Sequence, residues 1–237
     1  MNGIEIIRIF ETIYPRDLAY NWDNVGLQIG SINKDVKNVL LTLDLTLEVV
    51  EEAIENKNEL IIVHHPLIFS PLKSIKTDTY KGKIIEKLIK SDIALYVAHT
   101  NFDVCAYGMN TILANMLNLQ NQEVLELTTE DEGLGKVGFV NSIIMKDYIH
   151  YVKNTFNVDH ARFIGDINQI VNRVAITGGS GSSTINSASN NNVDLLITGD
   201  ISYHHAHDAL AINLNVLDVG HNIEKFFVNE LKNILNE

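Results

Sequence analysis

The sequence predicts an α/β protein made of two pseudo-repeated α/β halves, and three observations lead there. Short apolar runs rich in β-branched residues alternate along the chain with segments of helical periodicity. A strand–helix–strand pattern occurs twice: VLLTLD, a helix and ELIIV leading to HHP, then VAITG, a helix and VDLLITG leading to DISYHHAH. Each half then has a later strand that runs into a histidine and a nearby acid, ALYVAHTNFD in the first and VLDVGHNIE in the second. The polar, acidic stretch 121–136 contains glycine and reads as the connection, giving halves 1–124 and 125–237.

The elements follow in order. Residues 4–14 place Ile6, Ile7, Ile9, Phe10, Ile13 and Tyr14 on one broad stripe, an amphipathic helix ended near Pro15. NWDNVGLQIG is rich in turn formers and closes on a short strand, 27–29; its Asp23 and Asn24 are within reach of a site, and Trp22 reads as part of a packed turn. Residues 36–43 form a buried strand ending near Asp44, and Leu47, Val50 and Ile54 continue at helical spacing behind Thr46, a fitting N-cap. Residues 60–63 are four large apolar side chains, a buried strand that Pro66 stops just after His64 and His65. A helix over 81–90, a strand over 93–97 and a helix over 107–119 complete the first half. The second half reads as strand 137–144, helix 146–156, strand 171–177, the GGSGSS turn, a helix, strand 193–198, GDISYHHAHDA, strand 214–219, and a terminal helix ending near Leu235.

Bulk composition narrows the function. A chain of 237 residues with 46% hydrophobic content can bury a substantial core. No apolar run approaches the ~18 residues of a membrane span, and MNGIEIIRIFETIY lacks the basic start of a signal peptide. A single cysteine, Cys105, excludes an intramolecular disulfide and fits a cytoplasmic protein. A net charge of −12 repels phosphate backbones, so a nucleic-acid partner is not expected. No GxSxG is present, and Cys105 has no basic partner nearby in sequence, so neither a serine nor a thiol nucleophile is indicated.

The histidines carry the chemistry. Seven of nine fall in three groups: His64 with His65, His99, and the C-terminal set His204, His205, His207 and His221. Two adjacent imidazoles at a strand end cost desolvation free energy unless they bond to something, and neutral imidazole is the commonest transition-metal ligand. His99 and Asp103 are four apart, His221 and Glu224 three apart, spacings that put both side chains on one helical face. Imidazoles with carboxylates suit Zn²⁺, Mn²⁺ or Fe²⁺ rather than Ca²⁺. Five or six donors exceed one tetrahedral Zn²⁺ site, which points to a dinuclear centre with ions ~3.5–4 Å apart. Two related halves facing each other would bring the four strand ends together, where open α/β sheets place ligands. Tyr203, His204 and His207 read as ligands, as proton relays or orienting groups, or as hydrogen-bonded helix starters. Gly179, Ser180 and Gly181 in GGSGSS read either as an anion cradle or as a tight connection needing small residues.

With these residues assembled, the chain resembles the NIF-three-like family, whose members carry the name GTP cyclohydrolase 1 type 2 homologues. WDNVGLQIG, HHPLIF, AHTNFD, GGSGSS, TGDISYHHAHDA and GHNIE occur here in the family's order over nearly the whole chain. The resemblance implies two interlinked α/β domains with the metal site between them and a homohexamer built as a trimer of dimers. It implies two divalent ions held by His64, His65, Asp103, His221 and Glu224, with Glu224 bridging and His99 beside them as ligand or orienting group. Some relatives space the last pair HxxxE where this chain has HxxE, and longer ones carry an extra middle domain that is absent here. The activity implied is metal-dependent hydrolysis of a nucleotide or phosphoester, with a small phosphate-bearing substrate; His99, His204 and His207 are the relay candidates. The alternative is a non-catalytic metal chaperone, a sensor or an interaction ring.

Overall fold

The computed structural model of the chain describes residues 1–235. The chain divides into two compact units: residues 1–102 together with the segment from Phe227 onward, and Asp103–Phe226.

The first unit opens with α1 (Gly3–Ile13), whose first turn is capped by the Asn2 side chain accepting from the Ile4 N–H. It continues with β1 (Gly26–Ile29), β2 (Val39–Thr42), α2 (Leu47–Glu55), β3 (Leu60–Val63), α3 (Tyr80–Lys90) and β4 (Ala94–Val97). Thr46 caps α2 as expected, accepting from the Val49 N–H. The strands lie in the order β1-β4-β3-β2, with β2, β3 and β4 parallel and β1 antiparallel to β4. Side chains alternate across such a strand. Ile61, Val63, Leu95 and Val97 pack with Val50, Ala53, Ile84 and Leu88 of α2 and α3. Tyr96, at the alternate position, meets Phe10 of α1 at 5.7 Å. Tyr14, Phe102 and Phe227 extend this aromatic layer, with ring centroids 4.6 Å and 4.9 Å apart in turn.

A short helix, α4 (Thr100–Val104), contains the boundary between the units. The second unit then runs α5 (Met109–Met116), β5 (Gln120–Leu127), β6 (Gly133–Ile144), α6 (Met145–Phe156), β7 (Arg162–Ile164), β8 (Ile170–Ser180), α7 (Ile185–Asn190), β9 (Leu195–Gly199), α8 (Tyr203–Ala211) and β10 (Asn215–Asp218). A 3-10 turn, His221–Lys225, leads into α9 (Phe226–Leu235). The six strands are ordered β5-β6-β8-β9-β10-β7; β8, β9 and β10 are parallel, and β7 is antiparallel to β10.

The internal repeat is present as topology. The first sheet, β1-β4-β3-β2, has the same order and directions as β7-β10-β9-β8 in the second. Helices α2 and α3 fall between the parallel strands of one copy as α7 and α8 do in the other. The β5–β6 hairpin is the addition in the second sheet.

That hairpin occupies the segment expected to be a connection. Residues 121–136 are mostly paired strand, and the position 124/125 lies inside β5. The reason is one of exposure: along β5 only Leu125 is buried, so an edge strand has the polar composition of a linker. The strand expected from 137 accordingly starts at Gly133.

Candidate metal centre

Parallel α/β sheets present their functional residues beyond the carboxyl ends of the strands. In the first unit His64 and His65 follow β3 directly, and His99 follows β4 by one residue. One ring nitrogen from each of these three histidines lies within 4.8 Å of the others. His64 is fully buried, while His65 and His99 keep partial exposure.

Hydrogen bonds fix which nitrogen each ring offers. His64 Nδ1 donates to the Ala98 carbonyl at 2.7 Å; a carbonyl only accepts, so this nitrogen carries a proton. His65 Nδ1 donates to Asp44 Oδ1 at 2.8 Å. His99 Nδ1 donates to Asp23 Oδ2 at 2.9 Å. The same Asp23 oxygen accepts from the Thr100 N–H at 3.1 Å and from Thr100 Oγ1 at 2.5 Å. Burial alone would raise the Asp23 carboxyl, but the bonds from His99 and Thr100 outweigh it and hold the group at about 2. Asp23 is therefore an anion through the whole physiological range, fixed as an acceptor for His99.

In the second unit the corresponding strand ends carry Asp200 after β9 and His221 after β10. His221 Nδ1 donates to Asp200 Oδ2 at 2.7 Å, and its Nε2 lies 3.0 Å from Glu224 Oε2. The Glu224 bond is the largest influence on His221; together with Asp200 it outweighs burial and raises the imidazole to about 9. Glu224 itself is 3% exposed. Asp103, on α4, has one fully buried carboxylate oxygen, and its carbonyl accepts from Asn110 Nδ2 at 2.9 Å.

Two glycines make room for this pair. Gly179 adopts φ +59°, and a side chain there would run into the Glu224 carboxylate and lie 3.3 Å from His221 Nε2. At Gly199 a Cβ would stand 2.7 Å from the backbone of Gly220 and His221. The first half of GGSGSS is thus the end of β8, and its glycines allow close packing. Gly178 donates its N–H to Asn110 Oδ1 and Gly181 to Thr198 Oγ1, both at 2.9 Å. Those two amides are engaged, and the Glu224 carboxylate lies over Gly179.

His204 and His207 are exposed on α8, whose N-cap is Ser202, and the Tyr203 ring packs 4.6 Å from that of His207. The residue after β9 that engages His221 is Asp200, the first residue of the DISYHHAH stretch to which the repeat in sequence leads. Asp200 has φ +56°, a backbone turn that a strand pattern does not announce. Cys105 is buried, and burial raises its thiol, as expected for a structural cysteine.

The fold and the donor sets define a two-unit α/β protein with histidine groups that could hold a metal ion, the rings of His64, His65, His99 and His221 each bonded at Nδ1. The chain belongs to the Duf34/NIF3 (NGG1p interacting factor 3) family, whose model matches residues 1–237. It is 32% identical to the GTP cyclohydrolase 1 type 2 homolog of Listeria monocytogenes, covering all of this chain and 92% of that protein. Identity to the homolog of the same name from Clostridium perfringens is 39%, over 92% of this chain and 84% of that one. Among solved structures, the Bacillus cereus protein related to NIF3 superposes with a TM-score of 0.95 at 34% identity, covering 100% of this chain and 92% of that one. Reduced HcgD from Methanocaldococcus jannaschii superposes at 0.84 with 30% identity, over 99% and 92% of the two chains. No helix among the described residues is long and apolar enough to cross a membrane.

Proposed function

We propose that the chain binds two divalent transition-metal ions through His64, His65, Asp103, His221 and Glu224, with Glu224 bridging, and hydrolyses a nucleotide or phosphoester. The observation that carries this reading is the hydrogen bonding of the histidines. Each Nδ1 is engaged by a carbonyl or carboxylate, the arrangement that fixes the tautomer and basicity of a metal-bound imidazole. The donor chemistry fits Zn²⁺, Mn²⁺ or Fe²⁺. Ions at such a site supply Lewis acidity and lower the pKa of coordinated water toward neutrality. Around them, Asp44, Asp23 and Asp200 would orient the imidazoles, and His99 would ligate or hold a proton at Nε2. His204 and His207, exposed on α8, are the remaining relay candidates. The nucleotide-like substrate class rests on the name carried by the relatives, and a homohexameric assembly on the family resemblance.

Elemental analysis of untagged protein purified without chelator tests the metal reading. We expect roughly two equivalents per chain, falling in Asp103→Ala and Glu224→Ala. Wild type free of metal overturns it. A screen of nucleotides and phosphoesters on the metal-loaded protein tests the hydrolase; turnover that disappears in Glu224→Ala supports it, and no turnover anywhere in the screen removes it while leaving the metal reading standing.

A further inference from the structure

The chain has one tryptophan, Trp22, and it stands 58% exposed beside the histidine group of the first unit. An indole is the largest apolar side chain, and leaving it in water forgoes the burial free energy that normally fixes its place. Here the ring is nevertheless held firmly. Tyr20 stacks against it at 5.5 Å and 11° between planes. Phe69, itself 51% exposed, flanks it at 5.7 Å and 49°. The edge-on neighbour is His99, at 6.4 Å and 74°.

The backbone under these rings is tied down from several sides. Tyr20 N–H donates to Thr100 Oγ1 at 3.1 Å, and Asp23, next to Trp22, is the acceptor for both His99 and Thr100. The loop carrying Phe69 is clamped to the loop carrying Trp22. Asn24 Nδ2 and Gln28 Nε2 both donate to the Ile68 carbonyl, at 2.5 Å and 3.0 Å, and Ile68 N–H donates back to Gln28 Oε1 at 2.9 Å. A solvent-facing aromatic shelf is thus preorganised at the strand end that bears His99, which lowers the ordering cost of whatever lands on it.

We infer that Trp22 and Phe69 form a stacking subsite for the planar heteroaromatic ring of a ligand, of nucleobase size, whose remaining part reaches the histidines. This deepens the proposed function and rests on it for the identity of the neighbouring chemistry. Stacking on an aromatic face is sequence-tolerant and needs no charge. The shelf's contacts are aromatic rings and side-chain amides, so it selects for a ring and leaves the charged part of the ligand to the metal side.

Because Trp22 is the chain's one tryptophan, emission excited at the red edge, where the eight tyrosines do not absorb, reports on this shelf alone. Full-length protein of measured metal content is titrated with guanosine and, in parallel, with ribose 5-phosphate and inorganic pyrophosphate. The expected result is saturable quenching by guanosine and none by the two ringless probes. Phe69→Ala should weaken guanosine roughly tenfold, and Trp22→Ala, read by equilibrium dialysis, by tenfold or more, with metal content unchanged in both. Absence of saturable quenching overturns the inference. So does equal quenching by ribose 5-phosphate, or a Trp22→Ala protein that keeps its guanosine affinity but loses its oligomeric state, which would make the shelf a contact between copies. Quenching by guanosine in protein that elemental analysis finds free of metal sinks the metal reading and leaves the stacking subsite standing.

Discussion

At the residue scale, the pairing of His64, His65, His99 and His221 with oxygen acceptors sets the consequences of substitution. Asp44→Ala frees the His65 ring to rotate and to change tautomer, so metal affinity should fall roughly 10–100-fold, measured by competition with a chromophoric chelator, while circular dichroism stays native. Asp200→Ala should do the same through His221. Gly179→Ala places a methyl group against the Glu224 carboxylate at a left-handed φ. The expectation is a loss of more than about 1 kcal/mol in urea unfolding together with reduced metal content. The candidate ligands stand out in sequence because they sit in short motifs at strand ends: HHP, HTNFD, GHNIE. Their partners are not. Asp200 lies 21 residues before His221 and reaches it from a neighbouring strand, a relation that only the β9–β10 register creates. Asp23 is the exception, read in sequence as within reach of a site, whereas Asp44 stood there only as the end of a strand. Trp22 shows the opposite error: read as a packed turn residue, it is exposed, because the turn's stability comes from Asp23, Asn24 and Gln28 instead.

At the element scale, β3 is the central support. Leu60, Ile61, Ile62 and Val63 are all fully buried, and the strand pairs on both sides before delivering His64. Ile61→Ala should cost about 2–5 kcal/mol in chemical denaturation, with unchanged secondary structure at low denaturant. The start of β3 carries a pH-dependent contribution. The Glu59 carboxylate accepts from the Asn38 and Lys37 N–H groups, and these bonds, opposed by a little desolvation, hold its pKa below the ordinary value. A lowered folded pKa gives stability that is fully present above the ordinary value of about 4.3 and lost as pH falls through the folded one. Glu59→Gln should therefore be less stable than wild type near neutrality, and the gap should close as urea midpoints are followed into acid. Buried strands and amphipathic helices were legible from period alone; β5 and β7 were not. β5 is a polar edge, and β7 is three residues long. The helix ends had a signal in plain sight: after α5, α6, α7 and α8 the chain turns through left-handed Asn118, Asn157, Asn192 and Asn213, where asparagine takes the place glycine usually fills.

At the scale of the whole molecule, ions that bind only the folded chain should stabilise it. Free metal at a hundredfold excess over its dissociation constant adds about 2.7 kcal/mol. For a chain of this length that raises the melting temperature by roughly 2–4 °C per kcal/mol, so a chelator should lower the calorimetric midpoint of wild type and leave Glu224→Ala almost unmoved. The duplication was legible because both copies keep the strand–helix–strand period and end on a histidine with an acid. The discontinuity of the first unit was not, since IEKFFVNEL reads as one uninterrupted helix with no break in composition. That path, out of the first unit and back at Phe227, has a consequence for synthesis. Translation proceeds from the N-terminus, so a ribosome has completed every strand of the second sheet before it releases Phe227, whose ring lies 5.1 Å from His64 and 4.9 Å from Phe102. His64 and His65 are among the earlier residues to emerge, yet the wall behind His64 arrives among the last. Until that segment is made, the nascent chain lacks the Phe227 face of the His64 surroundings.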